Sequence, residues 1–236
     1  MINNFAARCY FADYLELNNI LDFAIHFAQG KELTDKLLTD SLDLYKSGDV
    51  SAKKSTEETI MNTSYHEMGH YLLHRLFGKK PPFVTIVARG NYGGYTLSEI
   101  SDINEDYTKK YILDRICVSF GGRAAEVIHA GEEKGINVGI SSDIESATNN
   151  ALYMVTCVGM GSESLAVMPN FEKAMDNPVI FNEVNKILKE QYDRAIRLLT
   201  LNLKNLDKLS QALYEKQSLI GDECEEIVPD SELVYE

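Results

Sequence analysis

The sequence predicts a mainly α fold with one small β element, preceded by a short helical segment. Three observations carry this reading. Apolar residues recur at helical spacing over most of the 236 residues. The run 83–88 is rich in β-branched residues, is too short for a stable helix, and leads into a glycine-rich turn. A polar stretch, 47–54, separates the N-terminal residues from the remainder.

Taken in order, residues 12–29 place Leu17, Ile20, Leu21, Ala24, Ile25 and Ala28 at helical intervals, with Gly30 as the stop. Residues 33–45 predict a second short helix that closes near Gly48. Ser55 followed by Glu58 forms a capping box, opening a helix through Ile60, Met61, Tyr65, Met68, Leu72, Leu73, Leu76 and Phe77. Gly78 ends it, and Pro81 and Pro82 bar its continuation. The strand 83–88 follows, then a turn and return strand over 89–96. Asp102 with Glu105 makes a second capping box, leading into Tyr111, Ile112, Ile116, Val118 and Phe120. Gly121-Gly122 interrupts that run, which implies close packing of another helix or backbone. Ser141 or Ser142 caps a helix through Ala147, Ala151, Met154 and Val155 that stops at Gly159. Residues 180–220 keep helical periodicity throughout and read as two helices.

The net charge of -13 argues against nucleic acid as the partner, because phosphate binding needs a basic surface. Much of that charge is local: residues 221–236 carry seven acidic groups, Asp222, Glu223, Glu225, Glu226, Asp230, Glu232 and Glu236, and neither Lys nor Arg. This composition reads as a solvated, mobile tail. Cys9, Cys117, Cys157 and Cys224 form no CxxC pattern and no disulfide framework, which fits a reducing compartment. The N-terminus lacks the charged-then-apolar layout of a signal peptide, and no stretch approaches the roughly 18 to 20 apolar residues needed to span a bilayer. A cytoplasmic location is expected, or the cytoplasmic face of a membrane if the chain belongs to a longer anchored protein.

The chemistry lies in His66-Glu67-Met68-Gly69-His70, an HExxH motif inside a predicted helix. Positions i and i+4 share a helix face, so both imidazoles reach one ion, with Glu67 beside them as general base for a water activated there. Zinc in such a site takes three protein ligands and keeps its fourth position open. The longer pattern HExxHxxGxxH would put a third histidine at position 76, which is Leu76. His74, rotated further round the helix, reads as an ordinary surface residue. Glu99, Glu126 and Asp143 all remain candidates for the third ligand on spacing alone.

Several blocks, in order along the chain, resemble the FtsH-type ATP-dependent zinc proteases. They are His66–His70 as the family's HExGH, 84–90 followed by Gly94-Tyr95-Thr96, Gly121-Gly122-Arg123-Ala124-Ala125-Glu126, residues 142–148, and Gly159-Met160. The resemblance covers about residues 33–228 and implies a zinc endopeptidase acting on unfolded or loosely folded polypeptides. It implies Asp143 as the third zinc ligand and Glu126 as a residue orienting a ligand histidine, against the plainer reading of a Glu126–Arg123 ion pair. The strand 83–88 becomes a substrate-binding edge, with Val84 and Ile86 on the strand and Gly93, Gly94 and Tyr95 on the turn. Tyr95 or a backbone group near Gly93-Gly94 would steady the oxyanion.

By the same resemblance residues 1–50 form a segment like the helical lid of the family's ATPase module, 55–220 the peptidase domain and 221–236 the acidic tail. Hexameric self-association and a separate ATPase or unfoldase partner are implied as well. The chain departs from the family in lacking a GxxxxGK[ST] phosphate loop, so it is not expected to hydrolyse ATP alone. Phe11 replaces the lid's glycine before Ala12-Asp13, and Ala88 replaces a proline after the strand. Two rival readings follow: a non-catalytic interaction module of a protease–ATPase assembly, and a zinc enzyme whose third ligand is Glu99.

Overall fold

The computed structural model describes residues 3–9, 12–30, 32–50, 56–89, 93–97, 107–136, 138–162 and 174–236. Three helices open the chain: α1 (Asn3–Arg8), α2 (Tyr14–Ala28) and α3 (Asp35–Ser47). Asp13 and Thr34 cap α2 and α3 by accepting the amides of Glu16 and Leu37. Gly48, at φ 76°, takes the chain out of α3 in a conformation that favours glycine. Phe5, Ile20, Ala24, Leu38 and Leu42 form a small core of their own.

Helix α4 (Glu57–Leu76) is the central element. Thr56 caps it, its hydroxyl accepting the Thr59 amide, so the helix starts one residue later than the Ser55 box implies; Ser55 lies outside the described residues. A three-stranded sheet of order β2-β1-β3 lies beside it, built from β1 (Phe83–Thr85), β2 (Tyr95–Leu97) and β3 (Ser218–Ile220). Both pairings are antiparallel, with Val84 opposite Thr96 on one side and Leu219 on the other. The strand expected over 83–88 is therefore shorter, though the Ile86 amide still donates to the Gln217 carbonyl (2.9 Å).

The other α-helices among the described residues are α5 (Lys109–Ser119), α6 (Gly121–Ala130), α7 (Glu132–Gly135), α8 (Ser141–Thr156), α9 (Pro178–Leu201), α10 (Leu203–Lys216) and α11 (Gly221–Ile227). Thr108 caps α5; the Asp102–Glu105 box lies outside the described residues. Ser141 and Ser142 are inside the first turn of α8 and do not cap it, because a 3-10 turn, Val138–Ile140, feeds straight into the helix. The main core joins α4, α5, α6, α8, α9, α10 and the sheet, with Met68, Leu72, Ile116, Ala147, Leu198 and Leu206 among its fully buried members.

Two further expectations need correction. Residues 180–220 are not helical to the end. Gln217 adopts a left-handed conformation (φ 64°) that stops α10, and Ser218–Ile220 then pairs with β1, burying Leu219. Residues 221–236 are not a free tail. Cys224, Val228 and Leu233 are buried, and Glu223, Glu225, Asp230, Glu232 and Glu236 pair with bases from elsewhere in the fold. The buried Arg75 donates to the Val228 carbonyl (2.7 Å) and pairs with Asp230, while Arg194 and Arg197 hold Glu236. Asn202 brackets Val234 by donating to its carbonyl (2.8 Å) and accepting its amide (2.9 Å). Among the described residues no helix is long and apolar enough to cross a membrane.

Candidate metal centre

Helix α4 presents His66, Glu67 and His70 to a cleft, and the first turn of α8 presents Asp143 to the same point. The approach of α6 to α4 depends on missing side chains. A Cβ on Gly69 would stand 2.2 Å from the Gly121 carbonyl oxygen, and one on Gly122 would stand 2.3 Å from Cε1 of His66. The glycine pair therefore lets α6 lie against α4, the close packing that the sequence implied, and it also leaves room for the His66 ring.

His66 Nε2 and His70 Nε2 are 3.1 Å apart, and Asp143 Oδ2 lies 3.2 Å from the first and 3.3 Å from the second. Ligands about 2.0–2.1 Å from a tetrahedral zinc stand about 3.3 Å from each other, so these three atoms fit one face of such a coordination sphere. The other ring nitrogens are accounted for. His70 Nδ1 donates to the Val118 carbonyl (2.7 Å), which leaves its Nε2 as the ligating atom. His66 Nδ1 lies 3.5 Å from Glu126 Oε1. Arg123, the alternative partner for Glu126, has its guanidinium 5.3 Å over the Tyr192 ring. Glu99 lies outside the described residues.

The electrostatics suit a cation. Burial alone would discharge His66, yet the Asp143 and Glu126 carboxylates, with Glu67 nearby, hold its pKa up to about 10. Burial likewise disfavours the charged Asp143, but hydrogen bonds from His66 and His70 hold it well below the usual carboxylate range. Burial raises the pKa of Glu67, moderated by the His66 and His70 charges and the Thr96 hydroxyl. A carboxylate with a raised pKa beside a cation site suits a group that must take up a proton and release it.

The cleft, about 920 Å³, is walled on one side by Gly93, Gly94, Tyr95 and Thr96. Val84 and Ile86 are buried outside it, and β1 is flanked by β2 and β3, so neither residue offers an edge to a peptide. The edge reading holds at most for β2, because β3 occupies the side of β1 that the sequence left open. His74 also departs from its reading as a surface residue. It is half-buried and lines the cleft, and burial, with the charges of His70, Arg115 and Lys79, pushes its pKa down to about 4.

Sequence reasoning missed Thr96, whose hydroxyl touches Glu67 Oε2 (2.9 Å) and the Glu67 carbonyl (3.0 Å), and the Val118 carbonyl behind His70. Thr96 was within reach, since period-2 alternation points Thr96 away from Tyr95 and towards the face that Val84 shares. A backbone acceptor such as Val118 leaves no mark on residue identity.

An HExxH helix joined by an aspartate from a second helix, in a mainly α domain, is the ligand arrangement of a metallohydrolase. Residues 53–227 match the family described as Peptidase family M41, and the chain belongs to that family. It is 31% identical over 235 residues to the ATP-dependent zinc metalloprotease FtsH of Mycoplasmopsis synoviae, covering 90% of this chain and 35% of that protein. It is 31% identical over 235 residues to the ATP-dependent zinc metalloprotease FtsH 1 of a Thermoanaerobacter species, covering 90% and 38%. The ATP-dependent zinc metalloprotease YME1 homolog of Schizosaccharomyces pombe is 36% identical over 183 residues, covering 73% and 25%. The chain thus spans about a third of the length of the curated relatives it matches.

Proposed function

We propose that this chain is a zinc endopeptidase that hydrolyses peptide bonds of unfolded or loosely folded polypeptides. The convergence of His66, His70 and Asp143 within 3.3 Å of one another, with Glu67 alongside, carries the reading. His66, His70 and Asp143 would hold the ion, and zinc bound there would supply Lewis-acid polarisation of the scissile carbonyl and the attacking water. Glu126 and the Val118 carbonyl fix the two imidazoles from behind. Glu67 takes the proton of the attacking water and delivers it to the leaving nitrogen. An extended substrate lies along the Gly93–Thr96 wall, where main-chain hydrogen bonds to β2 would bind it with little sequence preference.

The site residues are tested together by cleavage of unfolded casein. Glu67→Gln lowers turnover by at least about 100-fold while zinc content stays at one per chain. Cleavage equal to the parent would remove Glu67 from the role of base.

Assembly belongs to the same proposal. Helix α2 exposes Tyr14, Leu15, Phe23, Ile25 and Phe27, apolar side chains spread round much of its circumference that self-association into a hexamer or docking on a separate ATPase would cover. Location in the cytoplasm or on the cytoplasmic face of a membrane fits both arrangements. That surface also motivates a rival reading, a non-catalytic interaction module. Stoichiometric zinc with no cleavage of casein would favour it.

A further inference from the structure

The strand β2 touches two parts of the molecule that otherwise have little to do with each other. On one face Thr96, paired with Val84, turns towards α4, and its hydroxyl lies 2.9 Å from Glu67 Oε2. The contact is tight along the backbone as well: a Cβ on Gly94 would stand 3.0 Å from Glu67 Oε1 and 2.7 Å from the Thr85 carbonyl oxygen. Strand and carboxylate cannot move independently at this spacing.

On the other face Tyr95 meets the N-terminal helices. Arg8, 6% exposed at the end of α1, donates to the Tyr95 hydroxyl (3.2 Å) and lies 3.9 Å over the ring of Phe83, which neighbours Tyr95 in the sheet. Arg8 also pairs with Asp43 of α3. Asp43 in turn holds Arg89 (3.3 Å), which donates to the Gly48 carbonyl (3.3 Å) and bridges to Val50. Two arginines on one aspartate, all largely buried, form a polar clasp between α1, α3 and the sheet. A buried group of this kind is costly to open, because removing one partner strands the charge of another.

We propose that β2 is a coupler: Thr96 positions the Glu67 carboxylate, and Arg8 fixes the strand that carries Thr96 through the Tyr95 hydroxyl, so that docking of the N-terminal helices sets the orientation of the base. Thr96 and Arg8 are positioning residues, since the substrate would meet β2 through its main chain and neither side chain needs to touch it. The inference rests on Glu67 acting as the base.

The test uses the full chain loaded with zinc and fluorescently labelled unfolded casein. Thr96→Val, which keeps shape and loses the hydroxyl, lowers kcat about tenfold, the equivalent of one charge-assisted hydrogen bond, with KM and zinc content within twofold of the parent. Thr96→Ser, which keeps the hydroxyl, restores kcat to within about threefold. Arg8→Met lowers kcat at least about threefold, again at constant KM, and speeds hydrogen exchange of the peptide containing 94–97 at least about fivefold. Equal losses in Thr96→Val and Thr96→Ser, or parental kcat in Thr96→Val, overturn the positioning role. Unchanged exchange at 94–97 in Arg8→Met overturns the coupling. Exchange needs no turnover, so it decides the coupling even if Glu67→Gln cleaves as the parent does, the separate outcome that sinks the general-base reading.

Discussion

At the scale of single residues, the third ligand decides the chemistry. Asp143 reaches both imidazoles through one oxygen, at 3.2 and 3.3 Å. Asp143→Ala leaves two nitrogen ligands, and metal affinity falls by well over about 100-fold, read as zinc lost on dialysis and measured by atomic absorption. Retention of zinc would mean that another acid, such as Glu99, completes the site. His74 makes a different prediction. Its folded pKa, about 4, lies below the ordinary 6.5, so the fold favours the neutral ring. Above pH 6.5 this has no effect on stability. As pH falls from 6.5 towards 4 the unfolded chain takes up a proton that the folded chain refuses, and stability drops by at most about 1.4 kcal/mol per pH unit. His74→Gln removes this loss, so the stability of the parent relative to His74→Gln declines across that window in urea titrations at a series of pH values.

At the scale of elements, α4 was legible because everything that defines it is local: apolar spacing, a hydroxyl cap at its start, glycine and prolines after its end. The contact of α4 with α6 was legible through Gly121-Gly122, because only a close approach explains two glycines in a helical run. The sheet was half legible. β1 and β2 are joined by a glycine-rich turn, whereas β3 sits 133 residues beyond Thr85 in the Thr85–Ser218 pair, and three residues carry too little pattern to announce a strand. Missing β3 turned β1 into an edge and misassigned Val84 and Ile86. The glycine contacts yield a prediction at this scale. Gly122→Ala places a methyl against the His66 ring, which can turn aside, so the protein folds with about 1–3 kcal/mol lost and with reduced zinc occupancy. Gly69→Ala places its methyl 2.2 Å from a backbone oxygen that cannot yield without parting the helices. Thermal denaturation of the two variants, each beside a zinc assay, should show Gly69→Ala as the less stable and Gly122→Ala as folded but metal-poor.

For the whole molecule, the acidic C-terminus shows how charge composition misleads when its partners lie far away in sequence. Seven acidic groups with no base among them look solvated, but Arg75, Arg194 and Arg197 wait on α4 and α9, and Val228 and Leu233 fill the core beneath. Arg75 is the pivot. It is 3% exposed, and the partners that hold its guanidinium are the Val228 carbonyl and the Asp230 carboxylate. Removing residues 228–236 deletes both partners and uncovers apolar surface, and because Asp230 is itself half-exposed the unmet guanidinium costs about 1–3 kcal/mol. For a chain of this size each kcal/mol lost lowers the melting temperature by about 2–4 °C. Truncation alone cannot separate the stranded charge from the lost packing, but a second change can. Arg75→Met in the truncated chain removes the charge while keeping most of the apolar volume, and should recover several degrees, whereas Arg75→Met in the full chain should only destabilise. If truncation leaves melting unchanged, the segment is not part of the fold; if Arg75→Met fails to rescue, packing by Val228 and Leu233, and not the arginine, is what ties the C-terminus to the helix that carries the metal site.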